Sequence, residues 1–177
     1  MQILAIIDDD YFGPKYIEAA RLAERFADII WYRIKNKPVE EIREKAAFLK
    51  MKVDFKNTVL SERFDIACEL GFAGVHLNAL SEISYEEIKS INTNMTVGYS
   101  DHSLQDCFVK KADYYVLSPI FFTPKPYEVK PLGAIPVPQD KNIFALGGVT
   151  RDKTELLKSK GCAGIAGIRL IEEYGRG

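Results

Sequence analysis

Eight short runs rich in β-branched and aromatic residues alternate with helix-period segments from one end of the chain to the other. Parallel βα units around a shared core require such alternation, because each parallel crossover carries a covering helix. The runs are Ile3 to Asp8, Ile29 to Ile34, Thr58 to Leu60, Gly74 to Leu77, Thr96 to Tyr99, Asp113 to Leu117, Ile143 to Leu146 and Gly164 to Ile168. Several are almost wholly apolar, as strands buried on both faces must be. Between them, Ala19, Leu22, Ala23 and Phe26 follow an i, i+3, i+4, i+7 stripe, and Val39, Ile42, Ala46 and Leu49 keep one face of a second helix. Pro38 suits a first helical turn, Ser84 and Glu87 have capping-box spacing, and Thr150 is placed to cap the helix after a double glycine.

This pattern predicts an α/β fold, a compact (β/α)8 barrel in a single domain over residues 1–177. Eight units in that length leave about 22 residues each, near the minimum for a strand, a helix and two loops. Six of the eight prolines, Pro119, Pro124, Pro126, Pro131, Pro136 and Pro138, fall between strands six and seven. The helix expected there should therefore be short or missing. The loop that replaces it belongs to the carboxyl-terminal face, where barrels of this type keep their sites.

Composition narrows the function classes. A net charge of −1 leaves no large basic face, so nucleic acid is not an expected partner. Cys68, Cys107 and Cys162 are odd in number, far apart and set in apolar sequence, which suits reduced packing residues in a cytoplasmic protein. Met1 to Ile7 runs straight into Asp8-Asp9-Asp10 without the features of a signal peptide. No segment approaches the ~20 apolar residues of a membrane span, so no membrane association is expected.

Polar residues collect at the carboxyl ends of the strands. They are Asp8 and Asp9; Arg33 and Lys35; Ser61, Glu62 and Arg63; His76 and Asn78; Ser100 and His102; Ser118 to Lys125; Gly147 and Gly148; and Gly167 with Arg169. Arg33, Lys35, Arg63 and Arg169, four basic side chains on one rim in a chain of almost neutral charge, imply an anionic ligand. The segments Phe144 to Thr150 and Gly161 to Arg169 add two glycine-rich strand ends, whose backbone N–H groups can approach a phosphate closely. Ordinary tight packing explains the same glycines. Other residues also keep two readings. Asp8 to Asp10 cap a helix or belong to the site, His76 is structural or catalytic, and His102 orients a loop or moves a proton. Glu62 and Arg63 could form only a solvated ion pair.

The order of motifs resembles the thiamine phosphate synthase and TenI family of barrels over nearly the whole chain. The matching pieces include Ala5-Ile6-Ile7-Asp8-Asp9, Arg33-Ile34-Lys35, Gly74-Val75-His76-Leu77, Gly98-Tyr99-Ser100-Asp101-His102-Ser103, Ser118-Pro119-Ile120-Phe121-Phe122-Thr123 and Leu146-Gly147-Gly148-Val149. Synthases of this family join a pyrimidine pyrophosphate to a thiazole phosphate with Mg2+. The resemblance implies that Arg33 and Lys35 hold the pyrophosphate, with Arg63, Thr123 and Lys125 as further substrate contacts. It puts Ser100 near the departing group and sets Gly147, Gly148, Gly167, Ile168 and Arg169 around the thiazole phosphate.

Departures from the synthase pattern concern the metal. Its usual Asn-Asp-Arg reads Ser61-Glu62-Arg63, which leaves Glu62 as a metal ligand of a degenerate site, and the acidic residue after strand four falls near Ser81, with Glu82 adjacent. Those losses point to the TenI-like branch, thiazole tautomerases that need no metal. The histidine some TenI proteins carry is Pro119 here, so His102 or His76 would serve as the acid–base group. A divergent synthase using Mg2+ and a non-catalytic binding protein are the alternatives. By base rate the expected assembly is a homodimer.

Overall fold

The computed structural model describes residues 1–123 and 130–175. Its eight parallel strands are β1 (Gln2–Asp8), β2 (Ile29–Arg33), β3 (Thr58–Ser61), β4 (Gly74–Leu77), β5 (Thr96–Asp101), β6 (Tyr114–Leu117), β7 (Ile143–Leu146) and β8 (Gly164–Gly167). They pair in chain order, and β8 returns to β1 with Gln2 opposite Gly164, closing the expected (β/α)8 barrel. Strand limits agree with the sequence reading to within two residues.

The covering helices are α1 (Asp9–Phe12), α2 (Tyr16–Ala23), α3 (Val39–Lys52), α4 (Phe64–Glu69), α5 (Tyr85–Ile91), α6 (Asp106–Val109), α7 (Thr154–Ser159) and α8 (Leu170–Tyr174). Helix α2 buries Ala19, Ala20 and Ala23, small side chains that let it lie close to the sheet. In α3 the buried residues are Ile42, Ala46 and Leu49, the stripe read from the sequence. Ser84 and Glu87 form the capping box of α5: Ser84 Oγ accepts from Glu87 N at 3.2 Å, and Ser84 N donates to Glu87 Oε2 at 2.8 Å. Thr150 behaves differently. It precedes a short 3-10 turn without capping it, and its hydroxyl bonds the Asp152 side chain instead.

Among the described residues between β6 and β7 there is no helix. Backbone bonds from Leu132 N to Pro119 O, Gly133 N to Ile120 O and Val137 N to Lys160 O hold that stretch against the barrel. Proline supplies no N–H for a helical ladder, so single tertiary bonds take the helix's place.

Strand period separates two apolar shells. Leu4, Ile6, Trp31, Val59, Tyr114, Val116, Phe144 and Ala166 fill the barrel interior. Ala5, Ile7, Ile30, Tyr32, Leu60, Val75, Tyr115 and Ile165 face outward under the helices. Aromatic rings fit the narrow interior because glycines face them. A Cβ on Gly164 would lie 2.3 Å from the Phe144 ring, and one on Gly98 would lie 2.2 Å from the Tyr114 ring.

Candidate active site

Following the inward-facing positions upward by twos leads out of the apolar layer and onto a polar rim. Leu4 and Ile6 lead to Asp8, Trp31 to Arg33 and Lys35, Val59 to Ser61, Gly98 to Ser100 and His102, and Val116 to Ser118. A cavity of about 510 Å3 opens there, lined in part by Trp31, Arg33, Lys35, Glu62, His76, Asn78, Ser100, His102, Thr123, Gly147 and Ile168. The amphipathic alternation of the strands thus assembles the site.

Asp8 caps a helix, as one of its readings had it, and also pairs with Arg33 of the cavity lining. One carboxylate oxygen caps α1 through Tyr11 N at 2.9 Å, and the other accepts from Arg33. Asp9 is structural: 3% exposed, it accepts from Tyr32 Oη at 2.9 Å and Lys45 Nζ at 2.8 Å on the outer face of the barrel. Lys35 has no hydrogen bond or ion pair among the described residues. Burial, then the neighbouring Arg33 guanidinium, push its pKa below the ordinary lysine value. Glu62 and Asp8 partly offset that fall, and with no carboxylate bonded to it among the described residues the ammonium is placed for an anion from outside.

Glu62 departs from the period of two. Its φ of 58° just after β3 swings the carboxylate into the cavity, where it accepts from Asn78 Nδ2. Among the described residues no three His, Cys, Asp or Glu side chains are grouped to hold a metal. Mg2+ keeps most of its octahedral shell as water or phosphate oxygen and takes one or two protein carboxylates. Glu62 is one carboxylate that could serve an Mg2+ held mainly by water or phosphate oxygens, and the described residues form no preformed cage.

His76 is 2% exposed and forms part of the cavity floor. Trp31 stacks on it with ring centroids 3.7 Å apart, Nδ1 is 2.9 Å from Tyr114 Oη, and Nε2 is 2.7 Å from Ser100 Oγ. Burial, reinforced by Lys35 and Arg33, drives its pKa down to about 3, so the ring is neutral at any physiological pH. His102 is exposed at the rim. Its Nδ1 lies 2.6 Å from the Ser118 carbonyl and must donate to it, while Nε2 has no protein partner among the described residues.

Gly147 and Gly148 have φ of 93° and 61°, conformations glycine adopts without strain. A Cβ on Gly148 would meet the Phe122 carbonyl at 2.7 Å. Among the described residues the backbone N–H groups of Gly148, Val149, Ile168 and Arg169 donate to no protein acceptor. These orphan donors at two neighbouring strand ends suit a phosphate. Thr123 Oγ1 lies beside Gly147 and bonds the Phe121 carbonyl at 3.3 Å.

Other expected residues sit apart from the cavity lining. Arg63 turns to Asp65, with Nε 2.8 Å from Oδ1. The Arg169 side chain is exposed and engages Tyr11, and Gly167 stands one residue below the mouth. Lys125 lies outside the described residues. Two residues were not singled out from sequence. Trp31, two positions before Arg33, was findable by strand period. Lys153 was not: its Nζ reaches the Gly148 carbonyl at 2.6 Å and the Phe121 ring at 4.5 Å through a loop contact that no spacing announces.

Comparison with known proteins agrees with this fold. The sequence model of the family described as Thiamine monophosphate synthase matches residues 3–171. A protein of Aquifex aeolicus named "Putative thiamine-phosphate synthase 2" is 31% identical over 183 residues, covering 97% of this chain and 98% of its own. The thiamine-phosphate synthase of Koribacter versatilis is 29% identical, covering 94% and 87%. Among solved structures, thiamine phosphate pyrophosphorylase from Pyrococcus furiosus superposes with a TM-score of 0.74 at 26% identity, covering 99% of this chain and 93% of that one.

Proposed function

We propose, for a chain that belongs to the thiamine monophosphate synthase family, that it is itself a synthase joining a hydroxymethylpyrimidine diphosphate to a thiazole phosphate. The observation that carries this reading is the convergence of Arg33, Lys35, Glu62 and Ser100 on one cavity that Gly147 and Ile168 also line. A cationic group and a set of unpartnered strand-end amides at one cavity suit two phosphorylated substrates. In the reaction the thiazole nitrogen forms a C–N bond to the pyrimidine methylene carbon, and the C–O bond to diphosphate breaks with its electron pair. Charge accumulates on the departing diphosphate. Arg33 and Lys35 stabilise that charge, and Ser100 supplies a hydroxyl beside it. Mg2+, when bound, neutralises further diphosphate charge, with Glu62 as its protein carboxylate.

The sequence alone favoured a tautomerase. The names of the relatives favour the synthase, and Glu62, although longer than the usual aspartate, reaches the cavity. One observation keeps the isomerase as a second reading. The Nε2 of His102 at the mouth is an acid–base group of the kind proton transfer on an anchored thiazole needs.

The test is thiamine phosphate formation from the two substrates by the purified protein, with and without Mg2+. Mg2+-dependent product is expected, and Glu62→Gln should raise the Mg2+ requirement roughly tenfold or more. No product, with metal-independent isomerisation of a thiazole carboxylate phosphate that His102→Gln abolishes, would replace the synthase by the tautomerase. Tight ligand binding without either turnover would leave a binding protein.

A further inference from the structure

The contact between Ser100 Oγ and His76 Nε2 has the distance of a nucleophile and its base, 2.7 Å. Its polarity is set at the other end of the imidazole. Tyr114 is 3% exposed inside the barrel, and His76 Nδ1, at 2.9 Å, is the one hydrogen-bond partner of its hydroxyl among the described residues. A phenol O–H sealed from water needs an acceptor, and that nitrogen is the one present. Nδ1 therefore accepts, the proton of the neutral ring sits on Nε2, and Nε2–H donates to Ser100 Oγ.

Ser100 Oγ then receives a hydrogen bond from behind and keeps its own hydrogen for the cavity it lines. We propose that Tyr114, His76 and Ser100 form a one-way chain of donors that delivers the Ser100 hydroxyl to an anionic oxygen of a bound diphosphate. Ser100 is thus a donor to charge and no nucleophile. Tyr114 and His76 are positioning residues, since both act through the Ser100 hydroxyl. Cooperative polarisation along such a chain strengthens its terminal donor.

Two neighbours hold the chain in register. Trp31 stacks on the imidazole and fixes its plane. Gly98 makes the contact possible: a Cβ there would lie 2.3 Å from Tyr114 Oη and 2.5 Å from His76 Nδ1, in the space the hydrogen bond occupies. The glycine of β5 is a positioning residue by what it lacks.

The proposal rests on the diphosphate-binding reading above, and its test uses no turnover. The chain has only two histidines, so His102→Gln leaves His76 as the single imidazole in a 15N spectrum. The expected spectrum shows the proton on Nε2 and a bare Nδ1, and a proton on Nδ1 would overturn the ordering. The near-isosteric Tyr114→Phe should release that preference and weaken inorganic pyrophosphate binding, measured by calorimetry, by roughly threefold. Ser100→Ala should weaken it about tenfold or more, as for a hydrogen bond to a charged group, and Ser100→Thr should restore it. Unchanged pyrophosphate affinity in Ser100→Ala would refute delivery to the anion even with the tautomer as expected. A protein with the Nε2–H tautomer and Ser100-dependent pyrophosphate binding that makes no thiamine phosphate would sink the synthase reading alone.

Discussion

Lys35 carries a charge that its own surroundings oppose. Burial and Arg33 both loosen its proton, so it loses charge at a lower pH than an ordinary lysine. A lysine with a depressed pKa is charged below that value and neutral above it, so anion affinity is present at neutral pH and falls as pH rises through it. Pyrophosphate affinity should therefore decline early on the alkaline side, and Lys35→Arg should hold it flat, as calorimetry across alkaline pH would show. Arg33, Lys35, His76, Ser100 and His102 were legible from strand period, because period two aims the residues just beyond an inward position into the mouth; Thr123 was legible from its loop, Gly147 from the glycine pattern and Ile168 only from the family resemblance. Arg63 and Arg169 were legible as rim residues and not as orientations. Beyond the strand end a long side chain follows the nearest partner, here Asp65 and Tyr11.

At the scale of single elements, caps and breakers were the readable signals. The Ser84 and Glu87 box forms as its spacing predicts, because both groups reach only their own turn. Ser84→Ala should lower stability by about 1 kcal/mol in chemical denaturation. Thr150 shows where that logic stops. Asp152 lies two residues on and captures the hydroxyl a cap would use. The proline cluster announced a connection without a helix, while the tertiary bonds that replace the helix, such as Val137 N to Lys160 O, join residues no local pattern links. Inside the barrel, Gly164 faces Phe144 so closely that Gly164→Ala should cost about 1–3 kcal/mol. A double-mutant cycle with Phe144→Leu should recover part of that loss, and strict additivity would count against the packing argument.

For the molecule as a whole, ligand binding and stability are linked. Among the described residues the strand-end amides and Lys35 have no protein partner, so a bound anion would supply one. Inorganic pyrophosphate at a hundred times its dissociation constant should add about 2.7 kcal/mol of stability. For a chain of this size that corresponds to a rise in Tm of roughly 5–10 °C, read by calorimetric scanning. Ordinary salt at equal ionic strength should give no comparable rise.

The two-residue period that raises the rim also decides which inherited accidents it survives. One codon gained within β5, between Val97 and Gly98, would carry Ser100 and His102 to the helix side and turn Tyr99 into the mouth. Two codons gained there would restore the facing and lift the rim by about 7 Å. Point changes at outward positions leave the mouth's chemistry in place. The site is tolerant of spelling errors and intolerant of a miscount.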